Sequence, residues 1–472
     1  MLKKEQLEKY LSLAMASAAD FAELFEQDEV SETISMLNRE VEDVNRVLTS
    51  GIGVRLYKGV QSVYGFTNEM TEEAIIPLIE DLKAAIGSAG GSDNGKCDEE
   101  KAPVVLTEKP VENRHKIKID GGSVPLSEKT DLMLRAANAA FAVDEKIVKV
   151  QTTMLNVNEK VQISNSDGLL TQDVRVRTRM NVVAFAKDGD AFMSGADRPG
   201  GSKGLEFWSE DRTPESVGEE AARIALVMVK AKDCPSGKMP VVIDNEFGGV
   251  IFHEACGHAL EATSVAKNQS VFAGKLGQQI AAPCVSAVDD GTIENAWGSE
   301  NIDDEGTPQQ KRVLIENGIL KSYMIDKLNA RRMGMEPTGS GRRQSYKFEP
   351  TSRMSNTFIC AGKDKFEDLF VGIEKGLYAK KMGGGSVNPM TGEFNFAVNE
   401  GYMIENGKIT YPVKGASLIG NGRDILMNID KVASNLGRGQ GMCGSASGSI
   451  PTDVGQPAIR VTSITVGGTA NE

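Results

Sequence analysis

Leu7, Leu11, Ala14, Ala18, Phe21 and Phe25 recur at three- and four-residue intervals, the period of one apolar helix face, and predict an amphipathic helix at the amino terminus. The period then shortens. From "SETISML" at 31 to "YGFT" at 67, apolar and polar residues alternate, which predicts successive short strands with turns at "NRE", "SG" and "KG". "TEEAIIPLIEDLKAAIG", beginning at Thr71 as its cap, returns to helical spacing. Helices are also predicted over 127–143 and 214–231. Between them, 147–197 alternates as several antiparallel strands with "KDGD" as a hairpin turn.

Residues 88–103, "SAGGSDNGKCDEEKAP", have no apolar period and read as an exposed connector, while "CPSGKM" at 234–239 combines Pro and Gly at a plausible boundary. Two domains follow, 1–235 and 236–472. The second opens with a buried strand, "PVVIDN", that leads into a helix, and continues through strand-rich stretches such as "KRVLIENGILKSYMI", "GYMIENGKITYPVKG" and "PAIRVTSITVGG". Regular strand-helix-strand units and a Rossmann glycine loop are absent. The fold class is therefore α+β, with a mixed helix-and-strand first half and a second half dominated by antiparallel sheet.

Composition narrows the partners. A formal charge of −13 repels a phosphate backbone, and no Lys/Arg block interleaved with aromatics reverses it locally, so direct nucleic-acid binding is not expected. Glu5 and Glu8 interrupt the basic start and argue against a signal peptide. No stretch reaches the roughly 20 apolar residues that a membrane span needs. A cytoplasmic location is the expectation. The six cysteines are far apart with no Cys-x-x-Cys pair, and reduced thiols are expected.

Candidate chemistry concentrates in "IFHEACGHAL", 251–260. It holds two of the three histidines of the chain, His253 and His258, with Glu254 directly after the first. Histidines four apart on a helix lie about 40° apart and face one metal, whereas five apart they diverge by about 140°. A metal site at this spacing therefore requires a local distortion between 254 and 258: a π-bulge, or a helix end at Gly257. Catalytic zinc takes three protein ligands and leaves a position for water, so one more His, Cys, Asp or Glu is needed. Glu254 is then the expected general base, taking a proton from the zinc-bound water. His115, in the polar segment "VENRHKIKID", reads as a surface residue, and Cys256 as packing. Cys443, in the glycine-rich "GRGQGMCGSASGS", is a candidate because flanking glycines let backbone approach a crowded site, but spacing alone leaves it a linker residue.

"HEACGHALEA", "DDEGTP" at 303–308, "RMSNTFI" at 353–359, "GMCG" at 441–444 and "PTDVGQPAIRVTSITVGGT" resemble the TldD branch of the TldD/PmbA metallopeptidases, also described as modulators of DNA gyrase. The resemblance covers nearly the whole chain, including "ETISMLN" and "GIGVRLYKG". It implies His253, His258 and Cys443 as ligands of Zn2+ and Glu254 as the catalytic residue. It also implies hydrolysis of unfolded or leader-type polypeptides, and assembly as a homodimer or with a PmbA/TldE-type paralogue. The alternative is a non-catalytic regulatory protein, a gyrase or toxin-antitoxin modulator with structural zinc or none. Arg353 is attractive for holding a peptide carboxylate or an oxyanion, although a core strand is the simpler reading of its segment, as are core strands and turns for "GGGSVNPMTGEFNF" at 383–396. The acidic run at 303–305 is expected to be a solvated turn.

Overall fold

The computed structural model describes residues 1–88, 101–388 and 391–468. Most of the expected connector at 88–103, with Cys97, lies outside them, as does Pro389. The longer elements of the first half are α1 (Lys4–Met15), β1 (Phe21–Leu37), β2 (Glu40–Lys58), β3 (Gln61–Thr67), α2 (Glu72–Ser88), α3 (Leu126–Val143), β4 (Ile147–Asn165), β5 (Leu169–Asp188), β6 (Ala191–Asp197) and α4 (Pro214–Met228). These strands form one antiparallel sheet, ordered β3-β2-β1-β4-β5, with β6 paired onto β5.

Apolar faces dictate how the helices dock. Leu7 and Leu11 of α1 and Ile75 and Ile79 of α2 are buried against Leu24, Val54 and Leu56 of the sheet. Met133 and Ala137 of α3 and Ala221 and Ala225 of α4 pack on Met154, Met180 and Val182. The turns expected at "NRE" and "KG" exist, with Asn38 and Gly59 at positive φ as tight turns require. The turn expected at "SG" does not: β2 runs straight through Ser50 and Gly51. A Cβ on Gly51 would meet the Tyr346 ring at 2.4 Å, and one on Gly53 the Tyr64 hydroxyl at 1.9 Å. Those glycines make room for aromatic side chains within a strand.

In the second half, β7 (Gly237–Ile243), β8 (Ala287–Asp290), β9 (Lys311–Glu316), β10 (Asn356–Ile359), β11 (Lys375–Val387), β12 (Glu393–Glu405), β13 (Lys408–Lys414), β14 (Ser417–Asn421), β15 (Gly437–Ser445), β16 (Gly448–Gln456) and β17 (Ile459–Gly467) make two further sheets. One closes on itself through β11-β7-β17-β14-β12, since β11 also pairs with β12. The other runs β9-β8-β10-β16-β15 and leaves β15 at its edge. Pairing is antiparallel apart from short parallel contacts, β7 with β11, β10 with β16 and β13 with Lys232–Asp233. The molecule is thus α+β.

The two halves are joined by buried charge. Arg55 of β2 pairs with Glu23 at 3.0 Å and with Glu305 at 2.6 Å, Arg175 of β5 with Asp304 at 2.7 Å, and Arg177 with Glu300 at 2.9 Å. This corrects the reading of "DDE" as a solvated turn: Asp303, Asp304 and Glu305 are at most 1% exposed. Sequence shows a run of acids without the groups that receive them: arginines from strands more than a hundred residues earlier for Asp304 and Glu305, and the backbone amides of Thr307 and Gly341 for Asp303.

Candidate metal centre

Between β7 and β8 the chain makes a 3-10 turn (Glu246–Gly249), one turn of α-helix (Val250–Phe252), a π turn (His253–Gly257) and a second 3-10 turn (His258–Leu260). The amide of His258 donates to the carbonyl of His253, an i to i+5 bond that inserts one residue into the turn. This is the distortion that the five-residue spacing demands, and it brings the imidazole of His258 back over that of His253. Their ring centroids lie 5.1 Å apart at 84°.

Glycines seat this segment on its supports. A Cβ on Gly249 would lie 2.3 Å from the Gly455 carbonyl of β16, and one on Gly422 would lie 2.1 Å from the Ala255 carbonyl inside the π turn. β16 also positions β15 by antiparallel pairing, with Cys443 opposite Ile450. The result is a three-residue constellation. His253 Nε2 is 3.2 Å and His258 Nε2 3.4 Å from Cys443 Sγ, and the three donor atoms all lie within 4.8 Å of one another.

Electrostatics favour a charged sulfur. Burial alone would push the Cys443 thiol up, but the imidazoles of His253 and His258 override it and bring the pKa down to about 3. Burial would likewise lower His258, yet Glu261 and the Cys443 sulfur hold it well above the usual histidine value. Glu261 reaches His258 Nδ1 at 3.2 Å because a 3-10 turn nearly eclipses residues three apart. With Nδ1 engaged there, Nε2 is directed at Cys443, as imidazole ligands are commonly oriented. The Nδ1 of His253 is buried without a partner. Glu254 is partly exposed, its Oε2 3.7 Å from His258 Nε2.

The donor set fits zinc. Bonds of about 2.1 Å to nitrogen and 2.3 Å to sulfur at tetrahedral angles separate the two donors by roughly 3.6 Å, close to the spacings found. Two imidazoles and a thiolate are also ligands that zinc accepts and magnesium or calcium does not favour.

Of the residues outside the trio, His115 departs from its sequence reading, while Cys256 and Arg353 lie in the core as the simpler readings expected. His115 is buried, not superficial: its Nδ1 accepts from the Asn295 amide at 3.1 Å, and burial lowers its pKa. Cys256 is fully buried in the core, and burial pushes its thiol up. The five cysteines among the described residues are free. Arg353 is fully buried and donates to the Cys443 carbonyl, to Ser447 Oγ at 2.9 Å and to the Gly448 carbonyl at 2.9 Å. It clamps the hairpin of β15, which carries Cys443, and β16. The supporting role of Glu261 was overlooked in the sequence, although a carboxylate three residues beyond His258 was a visible signal.

Two imidazoles and a thiolate converging beside a partly exposed carboxylate are the donor set of a metalloenzyme. Residues 22–89, 119–229 and 236–468 match domain 1, the central domain and the C-terminal domain of the PmbA/TldA metallopeptidases, and the chain belongs to this PmbA/TldD metallopeptidase family. It is 38% identical over 459 residues to a metalloprotease TldD homologue of Haemophilus influenzae, covering 95% of this chain and 93% of that protein. The fold is similar to that of a Thermotoga maritima protein described as a modulator of a DNA gyrase, with a TM-score of 0.78 at 22% identity over 98% of this chain and all of the other. It is also similar to TldE of Thermococcus kodakarensis, with a TM-score of 0.75 at 19% identity over 98% and 100% of the two chains.

Proposed function

We propose that the protein is a zinc-dependent peptidase that hydrolyses unfolded or leader-type polypeptides, with His253, His258 and Cys443 as ligands and Glu254 as general base. The carrying observation is the approach of Cys443 to both imidazoles at hydrogen-bond distance, from 185 and 190 residues away in sequence. Three donors rather than four converge among the described residues, which favours an open catalytic site over a closed structural one.

Zinc held by these ligands would supply Lewis acidity at the scissile carbonyl and lower the pKa of water. Glu254 accepts the proton of the attacking water and returns it to the departing amine. Glu261 fixes the orientation of His258, and Arg353 fixes the backbone of Cys443. The substrate lies extended along the edge strand β15, held by main-chain hydrogen bonds that tolerate varied side chains. A second copy of the chain or a TldE-type paralogue completes the working assembly in the cytoplasm. Among the described residues, no helix is long and apolar enough to cross a membrane.

The test combines metal analysis with incubation of an unfolded polypeptide and mass spectrometry of new termini. The native protein should hold one zinc per chain and cleave, Cys443→Ser should lose both, and Glu254→Gln should keep zinc while turnover falls by about 10² to 10⁴. Undiminished turnover in Glu254→Gln would remove the proposed base. Zinc without cleavage, alone or with a paralogue, would favour the regulatory alternative.

A further inference from the structure

A cavity of about 640 Å³ lies between the first sheet and the second half of the chain, with Arg179 and Asp197 on one wall and the Arg438–Met442 run of β15 on another. Met442 directly precedes Cys443, so the cavity borders the strand that supplies the thiolate. Six basic side chains line it against two carboxylates. Three of the cations are paired: Arg212 with Asp197 at 2.6 Å, Lys381 with Glu246 at 3.0 Å, and Arg438 with Asp453 at 3.4 Å. Arg179, Arg198 and Lys414 have no carboxylate at ion-pair distance among the described residues, and Asp453 acts on Arg179 only from further away.

Arg179 is the informative one. It donates to the Arg198 carbonyl at 3.2 Å and to the Gln440 carbonyl of β15 at 2.9 Å, and its guanidinium lies 5.4 Å from the centroid of the Trp297 ring. Burial, and then the charge of Arg198, lower its pKa to about 10. A cation held against its desolvation cost mainly by neutral groups, with one carboxylate at a distance, gains most from an incoming anion. The net charge of −13 disfavours a polyphosphate chain as the source of that anion.

Resting on the peptidase reading above, we infer that this cavity is a subsite for acidic side chains of an extended peptide, with Arg179 and Arg198 receiving a carboxylate. At a strand rise of about 3.3 Å per residue, Gln440 stands about 10 Å along β15 from Cys443. The favoured Asp or Glu therefore lies two to four residues from the scissile bond.

The test uses a panel of fluorescent decapeptides with Glu or Gln at each position in turn, each with a free or an amidated carboxyl terminus. Binding is read by anisotropy on full-length Glu254→Gln protein, and cleavage on the native protein. Glu at the favoured positions should bind about tenfold more tightly than Gln with either terminus, and the advantage should shrink at high salt and in Arg198→Gln and Arg179→Lys. Arg198 is exposed, so its variant carries the test if Arg179→Lys does not fold. Equal binding of Glu and Gln peptides overturns the proposal, as does an advantage that depends only on a free carboxyl terminus. A Glu preference in binding without cleavage of any peptide leaves the subsite standing and overturns the peptidase reading instead.

Discussion

Glu261 engages Nδ1 of His258 and so orients the Nε2 that faces Cys443. Replacing it with Gln removes the charge that supports the imidazole while keeping a hydrogen-bonding oxygen. Zinc affinity, measured by competition with a chromogenic chelator, should fall by about 10- to 100-fold. An unchanged affinity would reduce Glu261 to a packing residue. Arg353 acts on the other arm by the same logic, since it holds the Cys443 carbonyl rather than its sulfur.

At the scale of elements, the π turn is the decisive piece, because it alone reconciles a five-residue spacing with convergent imidazoles. Backbone packs closely on this segment at two points, Gly455 against Gly249 just ahead of the turn and Gly422 against Ala255 within it. In Gly422→Ala the new methyl would collide with the Ala255 carbonyl, which cannot yield as a flexible side chain would. Unfolding free energy should drop by about 1–3 kcal/mol, and zinc bound per folded chain should decline with it. Denaturant titration with metal analysis separates the two effects. A variant with full zinc and native stability would show that the turn forms without this contact.

At the scale of the whole molecule, buried ion pairs set how the two halves meet. Arg55→Met leaves Glu23 and Glu305 buried without their shared guanidinium and should cost about 3–5 kcal/mol in urea unfolding. A loss below 1 kcal/mol would mean that the interface relaxes and admits water. The network also carries opposite pH dependences. Burial would raise Glu300, but Arg175, Arg342 and Arg177 hold it well below the carboxylate range, so its contribution is present above the unfolded value near 4.3 and fades in acid. Burial raises Glu159 to about 7, with Glu29 reinforcing the shift and Arg175 opposing it. Its contribution is complete below about 4.3 and fades as pH rises to 7. Glu159→Gln should therefore gain stability relative to the native protein between pH 5 and pH 8, seen as a narrowing or reversal of the difference in Tm. A difference in Tm that does not change with pH would contradict that assignment.

The amino-acid sequence by itself determined the α+β class, a helix at the amino terminus, helices near 71–87, 127–143 and 214–231, and the need for a distorted turn at His253–His258, although the helical spacing ran on to Phe21 and Phe25, which the structure places in β1. Each follows from local periodicity, capping or spacing, which act over a few residues. The same local signals misread Gly51 as a turn, His115 as superficial and the acids at 303–305 as solvated. In each case the explanation is a distant partner: Tyr346, Asn295, and the arginines of β2 and β5. Cys443 belongs with these, since a lone cysteine among glycines has no local signature of ligation and only the resemblance pointed to it. Tertiary structure decided its place, because pairing of β15 with β16 and the seating of Gly249 on Gly455 bring a residue 190 positions away to 3.2 Å from His253.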